Sequence, residues 1–292
     1  MRDERKGLVF VGVGRVGTAL AVSLERRGYT VLAVEDEDPS AKERVLGMLR
    51  GANARISQEI AEQTRAVFVT TRDDAIETTA KRLSQRFSWP EDTVFVHTSG
   101  SHVSAILGAR PRLSFHPLQS FAQVEEAVKR IPHSVFTLEG DQKGLEFGRE
   151  LADSLGVEHV EISPEQKPLY HLAACVACNY AITLVYQAKR LLRELGFPSS
   201  LAERGLLSLL SGTVSNMERL GVERAITGPI MRGDLETIKV HLDALSREGK
   251  RDLTELYSLL GNLTAEMVLR ESTCVEGQEE TVKEIATLLK RD

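Results

Sequence analysis

Residues 12–17 read Gly12-Val13-Gly14-Arg15-Val16-Gly17, directly after the apolar run Leu8-Val9-Phe10-Val11 and just ahead of Ala19, Leu20, Val22 and Leu24 at helical spacing. About eighteen residues further on, a second apolar run, Val31-Leu32-Ala33-Val34, ends in the acids Glu35-Asp36. Strand, glycine-rich turn, amphipathic helix, strand and acid together form the outline of a dinucleotide-binding unit. Gly12 permits the tight turn out of the strand, Gly14 lets the backbone approach a pyrophosphate, and Gly17 lets the helix pack close to the sheet. Arg15 and Val16 sit in the same turn, and the pyrophosphate is expected on the positive end of the helix that follows.

Working outward, short β-rich runs at 8–11, 30–34, 66–70, 93–97, 112–115, 135–138 and 157–162 alternate with helical patterns, and a weaker strand signal covers 54–56. This alternation predicts an α/β fold, a doubly wound, mostly parallel sheet with helices on both faces. After Pro164 the strand signal fades, and helices are expected at 166–195, 200–220, 234–246, 252–270 and 276–290. The predicted organisation is a Rossmann-type domain over residues 1–163 and an all-α substrate and dimerisation domain over 164–292. Leucines such as Leu206, Leu207, Leu209, Leu210, Leu256, Leu259, Leu260 and Leu263 recur closely enough to need burial on more than one side of their helices, and a homodimer through the helical domain is expected.

Composition narrows the partners. The chain has 292 residues, 42% of them hydrophobic, and a formal net charge of -5 with interspersed signs and no basic block, so nucleic acid is not expected as a partner. No uninterrupted apolar run reaches the roughly 18 residues of a membrane span, and residues 1–6 lack the apolar segment of a signal peptide, so the expected setting is cytoplasmic, away from membranes. Three cysteines offer no disulfide framework and fit a reducing compartment.

Ligands of open α/β sheets bind beyond the carboxyl ends of the strands. Three polar segments follow expected strands there: Thr70-Thr71-Arg72-Asp73-Asp74, His97-Thr98-Ser99-Gly100-Ser101 and His116-Pro117-Leu118-Gln119-Ser120. Taken singly, each reads as a loop with a helix cap, Asp74 and Ser101 being the capping residues; together, beside the glycine turn, they suggest a cleft. In the first helix after Pro164, His171, Cys175 and Asn179 drift only about 80° around the axis and share one stripe. That stripe fits either a buried helix, its polar groups satisfied by backbone, or a reactive face. His171, Cys175 and Cys178 lack a fourth ligand and a common direction, so no metal is expected. In the segment from Thr227 to Asp234, Gly228-Pro229 and Gly233 read as turn residues and Asp234 as a helix N-cap, while Arg232 has the planar fork that pairs with a substrate carboxylate.

These segments, with 67–76, 97–101, 114–121, Leu169-Tyr170-His171, Cys178-Asn179-Tyr180 and His241-Leu242, resemble Rossmann-like proteins whose C-terminal half is domain of unknown function 2520, described as NAD(P)-dependent oxidoreductases. More distantly the chain is similar to pyrroline-carboxylate and ketopantoate reductases, in which a dinucleotide domain precedes a helical domain that often dimerises. Ketopantoate reductases carry a lysine and two asparagines at successive turns where His171, Cys175 and Asn179 stand here. The resemblance implies hydride transfer between a nicotinamide cofactor and a small carbonyl or imine substrate, such as a 2-oxo acid, with His171 as proton donor and Asn179 orienting the substrate. It places the cofactor, NAD or NADP, against Gly12, Gly14, Arg15, Val16, Gly17, Glu35, Asp36, Thr70, Thr71, Arg72, Ser99 and Gly100, and the substrate near His116, Thr227, Arg232, Asp234 and His241. Acids at the end of the second strand bind a free ribose 2′-hydroxyl and repel a 2′-phosphate, which favours NAD. The rival reading is a dinucleotide- or metabolite-sensing protein without catalysis.

Overall fold

The computed structural model describes residues 7–108 and 111–290. Residues 1–6, on which the absence of a signal segment was read, lie outside them. The chain forms two compact units, the first ending at Asn179 and the second beginning at Tyr180. The change of pattern at Pro164, where the sequence placed the domain boundary, therefore falls within the first unit.

The first unit alternates strands and helices: β1 (Gly7–Val11), α1 (Arg15–Arg26), β2 (Thr30–Glu35), α2 (Pro39–Leu46), α3 (Gln58–Gln63), β3 (Thr64–Val69), α4 (Ile76–Arg86), β4 (Val94–His97), β5 (Arg112–Pro117), α5 (Val124–Arg130), β6 (Phe136–Gly140), α6 (Gln142–Leu155), β7 (His159–Glu161) and α7 (Lys167–Cys175). The seven strands form one sheet in the order β2-β1-β3-β4-β5-β6-β7. All neighbours run parallel except β5 and β6, which are antiparallel, with His116 opposite Thr137. The weaker strand signal at 54–56 does not become a strand. Asn53 alone bridges to Ala33, donating to the Leu32 carbonyl and accepting from Val34 N, each at 2.9 Å. The chain then turns into Ser57, whose hydroxyl caps α3 and stops further pairing.

The central strands read as continuous apolar runs because both faces of the sheet are covered. Successive residues of β1 serve opposite layers: Leu8 and Phe10 join α1 and α6 in one core, while Val9 and Val11 join Ile76, Ala80 and Leu83 of α4 in the other. Phe10 stacks on Phe68 of β3, with ring centroids 4.4 Å apart. Because β2 and β3 lie on opposite sides of β1, the chain order reverses at β1, and a crevice opens beyond the carboxyl ends of β1 and β3.

The long helix expected at 166–195 is not regular. A capping box at Ser163 and Gln166 starts it through a short 3₁₀ turn, α7 follows, and residues Val176–Tyr180 form a π-helical turn before α8 (Ala181–Glu194). Such wide turns inside α-helices recur at functional sites. The second unit continues with α9 (Ser199–Leu220), α10 (Leu235–Arg247), α11 (Arg251–Arg270) and α12 (Glu279–Leu289), and its buried residues form two small clusters, around Val268 with Val282 and around Ile238 with Ile285. The segment Pro164–Glu194 is long and apolar enough to cross a membrane by length and composition.

Candidate functional site: a cavity at the glycine turn and a histidine cluster beside it

β1 ends in the glycine turn. Gly12 has φ +86°, and a Cβ there would stand 2.6 Å from Thr71 N, so both conformation and space demand glycine. A Cβ on Gly17 would collide with the Gly12 carbonyl and the Thr70 hydroxyl, which themselves hydrogen-bond; the close packing of α1 on β1 rests on that contact. In front of Gly14 the space is open. Arg15 begins α1 and is exposed, and Val16 packs against the core.

Over this turn lies a cavity of about 520 Å³ whose walls include Gly12, Gly14, Glu35, Asp36, Thr70, Thr71 and Arg72. It thus gathers seven of the residues expected around a cofactor, from three strand ends. The two candidate ribose acids differ in direction. The Asp36 carboxylate accepts from Val13 N at 2.6 Å and from Asp38 N at 2.8 Å, which fixes it beside the glycine turn. Glu35 accepts instead from Ile56 N at 3.1 Å and faces Arg86 at 3.6 Å. The Thr71 hydroxyl is buried without a hydrogen-bond partner among the described residues. An open glycine cradle, a fixed carboxylate and an unsatisfied buried hydroxyl along one cavity fit a dinucleotide, whose pyrophosphate, ribose and amide groups supply the missing partners.

A second cluster begins where β4 ends. Asp73, immediately after the cavity residue Arg72, accepts from the hydroxyls of Ser99 and Ser101 at 2.9 and 3.0 Å, and Ser99 Oγ in turn accepts from the backbone of Ser101 and His102 at 3.2 Å. Asp74 and Ser101 were expected to cap helices, and neither does. Asp74 pairs with Arg72 at 3.0 Å, and the Asp73 carboxylate holds Ser101 in the loop. Within this loop, Gly100 lies between two imidazoles: a Cβ there would be 2.9 Å from His116 Nε2 and 3.0 Å from His171 Cδ2. His171, Cys175 and Asn179 do share a stripe, with Cys175 Sγ 3.9 Å from the His171 ring nitrogens and 4.0 Å from Asn179 Nδ2. The π turn, wider than an α turn, swings Asn179 back against the drift that regular helix would give.

Lys167 is the residue that sequence reading missed. At 1% exposure, it donates from Nζ to the Ser99 carbonyl at 3.0 Å and to Ser114 Oγ at 2.7 Å. Burial drives its pKa down to about 8, against the opposing fields of Glu139 and Asp73. The histidines respond to the same surroundings: burial, then the Lys167 charge, lowers His97 to about 3, and burial, then Lys167 and His171, lowers His116 to about 4. The one available signal was position, since Lys167 stands four residues, about one helical turn, before His171, but nothing in the sequence shows that its ammonium is buried.

The remaining candidates belong to the second unit. Asp234 caps α10, accepting from Thr237 N at 3.1 Å, and its pKa is lowered chiefly by Thr237, with smaller help from Arg232 and His241. Gly228 and Gly233 take positive φ in the turn between Thr227 and Asp234, and His241 Nδ1 lies 2.9 Å from the Tyr257 hydroxyl.

Fold and cavity define a Rossmann-type protein. Residues 1–118 match the Rossmann-like domain and residues 134–264 match the domain of unknown function DUF2520. A protein from Thermotoga maritima of known structure is 27% identical, with 97% of each chain covered and a TM-score of 0.66. A proposed NADP oxidoreductase from Bacteroides fragilis is 23% identical over 87% of this chain and 95% of its own, with a TM-score of 0.66. The 1-pyrroline-5-carboxylate reductase of Streptococcus pyogenes shares 15% identity over 96% and 98% of the two chains, with a TM-score of 0.57. At such identities these last two likenesses show the fold. No curated protein matches the chain.

The buried histidines make stability sensitive to acid. Folded His97 and His116 have pKa values of about 3 and about 4, below the unfolded value near 6.5, so the unfolded chain binds more protons between those limits. Stability is then expected to fall as pH drops from about 6.5 toward 4, by up to about 1.4 kcal/mol per pH unit for each histidine. Denaturant titrations across this range should show the fall, and His97→Gln should lessen it; an identical slope in the variant would contradict the assignment.

Proposed function

We propose that the protein is an NAD(P)H-dependent reductase of a small carbonyl or imine compound, 2-oxo acids included. The observation that carries this reading is the junction at Asp73, which joins the cavity over the glycine turn to the loop where His116 and His171 meet. The structural neighbours described as an NADP oxidoreductase and a pyrroline-carboxylate reductase support the same chemistry. Bound NADH supplies the hydride. Gly12, Gly14 and the start of α1 hold the pyrophosphate, Asp36 takes the ribose hydroxyls, and Thr71 gives its free hydroxyl to the ligand. His171 protonates the substrate oxygen, a task suited to imidazole near neutral pH, and Asn179 orients the substrate. We also assign the exposed apolar face of the helices to a second copy of the chain. Ile182 and Leu209 are 68% and 69% exposed, and a two-fold homodimer is the commonest way to cover such a face.

Turnover of a carbonyl and imine panel, followed as NADH oxidation, tests the first assignment; binding without turnover of any member would favour a sensor. On a substrate so identified, His171→Ala should lower kcat by about 10²-fold with little change in NADH affinity. NADH should bind at least about tenfold more tightly than NADPH, because Asp36 stands where a 2′-phosphate would need a cation. Fluorescence titration decides this, and equal affinity would mean that cavity cations such as Lys42, Arg55 or Arg82 hold the phosphate. Light scattering at micromolar concentration should give twice the 32.3 kDa chain mass, and a monomer would refute the dimer.

A further inference from the structure

His116 sits near the end of β5, directly across the antiparallel ladder from Thr137 of β6. Tyr170, in α7, brings its phenol oxygen to 2.5 Å from His116 Nδ1, with the two rings at 86° and their centroids 5.5 Å apart. Burial raises the Tyr170 pKa, and a hydrogen bond with Thr137 works against that rise. Between a neutral phenol and a neutral imidazole, the phenol is the stronger donor and the ring nitrogen the stronger acceptor. At 2.5 Å the phenol therefore directs its proton to His116 Nδ1, which leaves its oxygen to accept from Thr137. That nitrogen is then the acceptor, and the ring proton resides on Nε2. Nε2 makes no hydrogen bond among the described residues, and it faces Gly100 opposite His171.

We propose that Thr137, Tyr170 and His116 form a directed hydrogen-bond chain that presents the His116 Nε2–H at the Gly100 turn as a donor to the substrate oxygen, a role that rests on the reductase reading above. The low His116 pKa, caused first by burial and then by Lys167 and His171, with Asp73 opposing, keeps the ring neutral with a single proton. In carbonyl reduction the hydride forms the new C–H bond and the C=O π pair moves onto oxygen. Nε2–H hydrogen-bonds that oxygen as its charge grows, and the proton completing the alcohol comes from His171, so His116 ends in the form in which it began. Tyr170 and Thr137 touch no substrate and are positioning residues.

The tautomer can be read without any substrate, by long-range ¹H–¹⁵N correlation of the imidazoles in the full ¹⁵N-labelled chain. His116 should be protonated at Nε2 and unprotonated at Nδ1, with no titration between pH 5 and 8, and Tyr170→Phe or Thr137→Val should mix the tautomers. On a substrate found with the panel, Tyr170→Phe should lower kcat about tenfold and His116→Ala about 10²-fold, both with nearly unchanged KM for NADH. A proton on Nδ1 in the wild-type chain, or a Tyr170→Phe variant with unaltered tautomer and kcat, would overturn the proposal. The expected tautomer without NADH oxidation by any panel member would instead overturn the reductase reading, and the donor role with it.

Discussion

The buried ammonium of Lys167 is the contact on which the candidate site depends. It ties α7 to two strand ends at once, through the Ser99 carbonyl after β4 and the Ser114 hydroxyl in β5. A lysine at 1% exposure with no carboxylate in direct contact is costly to bury unless its donors are used, and these two bonds use them. They also fix the phase of α7. With Lys167 turned into the sheet edge, Tyr170 and His171 are carried to the His116 and Gly100 side, and Cys175 and Asn179 continue the stripe. Replacement by an apolar side chain would leave the Ser99 carbonyl without that donor and release the helix from its orientation.

The same charge sets the chemistry of its neighbours. His97 and His116 lose basicity to burial first and to Lys167 second. On the proposed reading His116, a ring kept neutral by its surroundings, serves as a fixed hydrogen-bond donor beside the proton donor His171. Asp73 links this pair to the cavity, because its carboxylate holds the Ser99–Ser101 loop and it directly follows the wall residues Thr70, Thr71 and Arg72 in the chain.

Much of the fold was legible because it is local. The glycine turn, the alternating β-rich runs and the late helices are each written in a window of a dozen residues, and the sheet follows from them. The seven strands and the gathering of Gly12, Asp36 and Thr70 to Arg72 at one edge came through for that reason. The π turn at 176–180 did not, since a single wide turn leaves the apolar spacing almost unchanged. The expected caps at Asp74 and Ser101 failed because a carboxylate 28 residues before Ser101 claimed its hydroxyl, a partner no local pattern contains. Lys167 was invisible for the same reason: its meaning lies in Ser114 of β5 and Ser99 just after β4, 53 and 68 residues away, which accept its hydrogen bonds.

The reversed direction of β6 has a further consequence. In the parallel crossovers the chain leaves the sheet at the ligand edge and returns at the opposite edge, so a change of length there shifts an entire helix across the sheet. Residues 118–135 behave otherwise, because β5 ends and β6 begins on the same side, Pro117 pairing with Phe136. This excursion, which contains α5, departs from and returns to the rim of the site. Insertions or deletions within it can reshape the rim while strand order and register stay intact, which makes it the stretch where proteins of this architecture can diverge in substrate at least cost to the sheet.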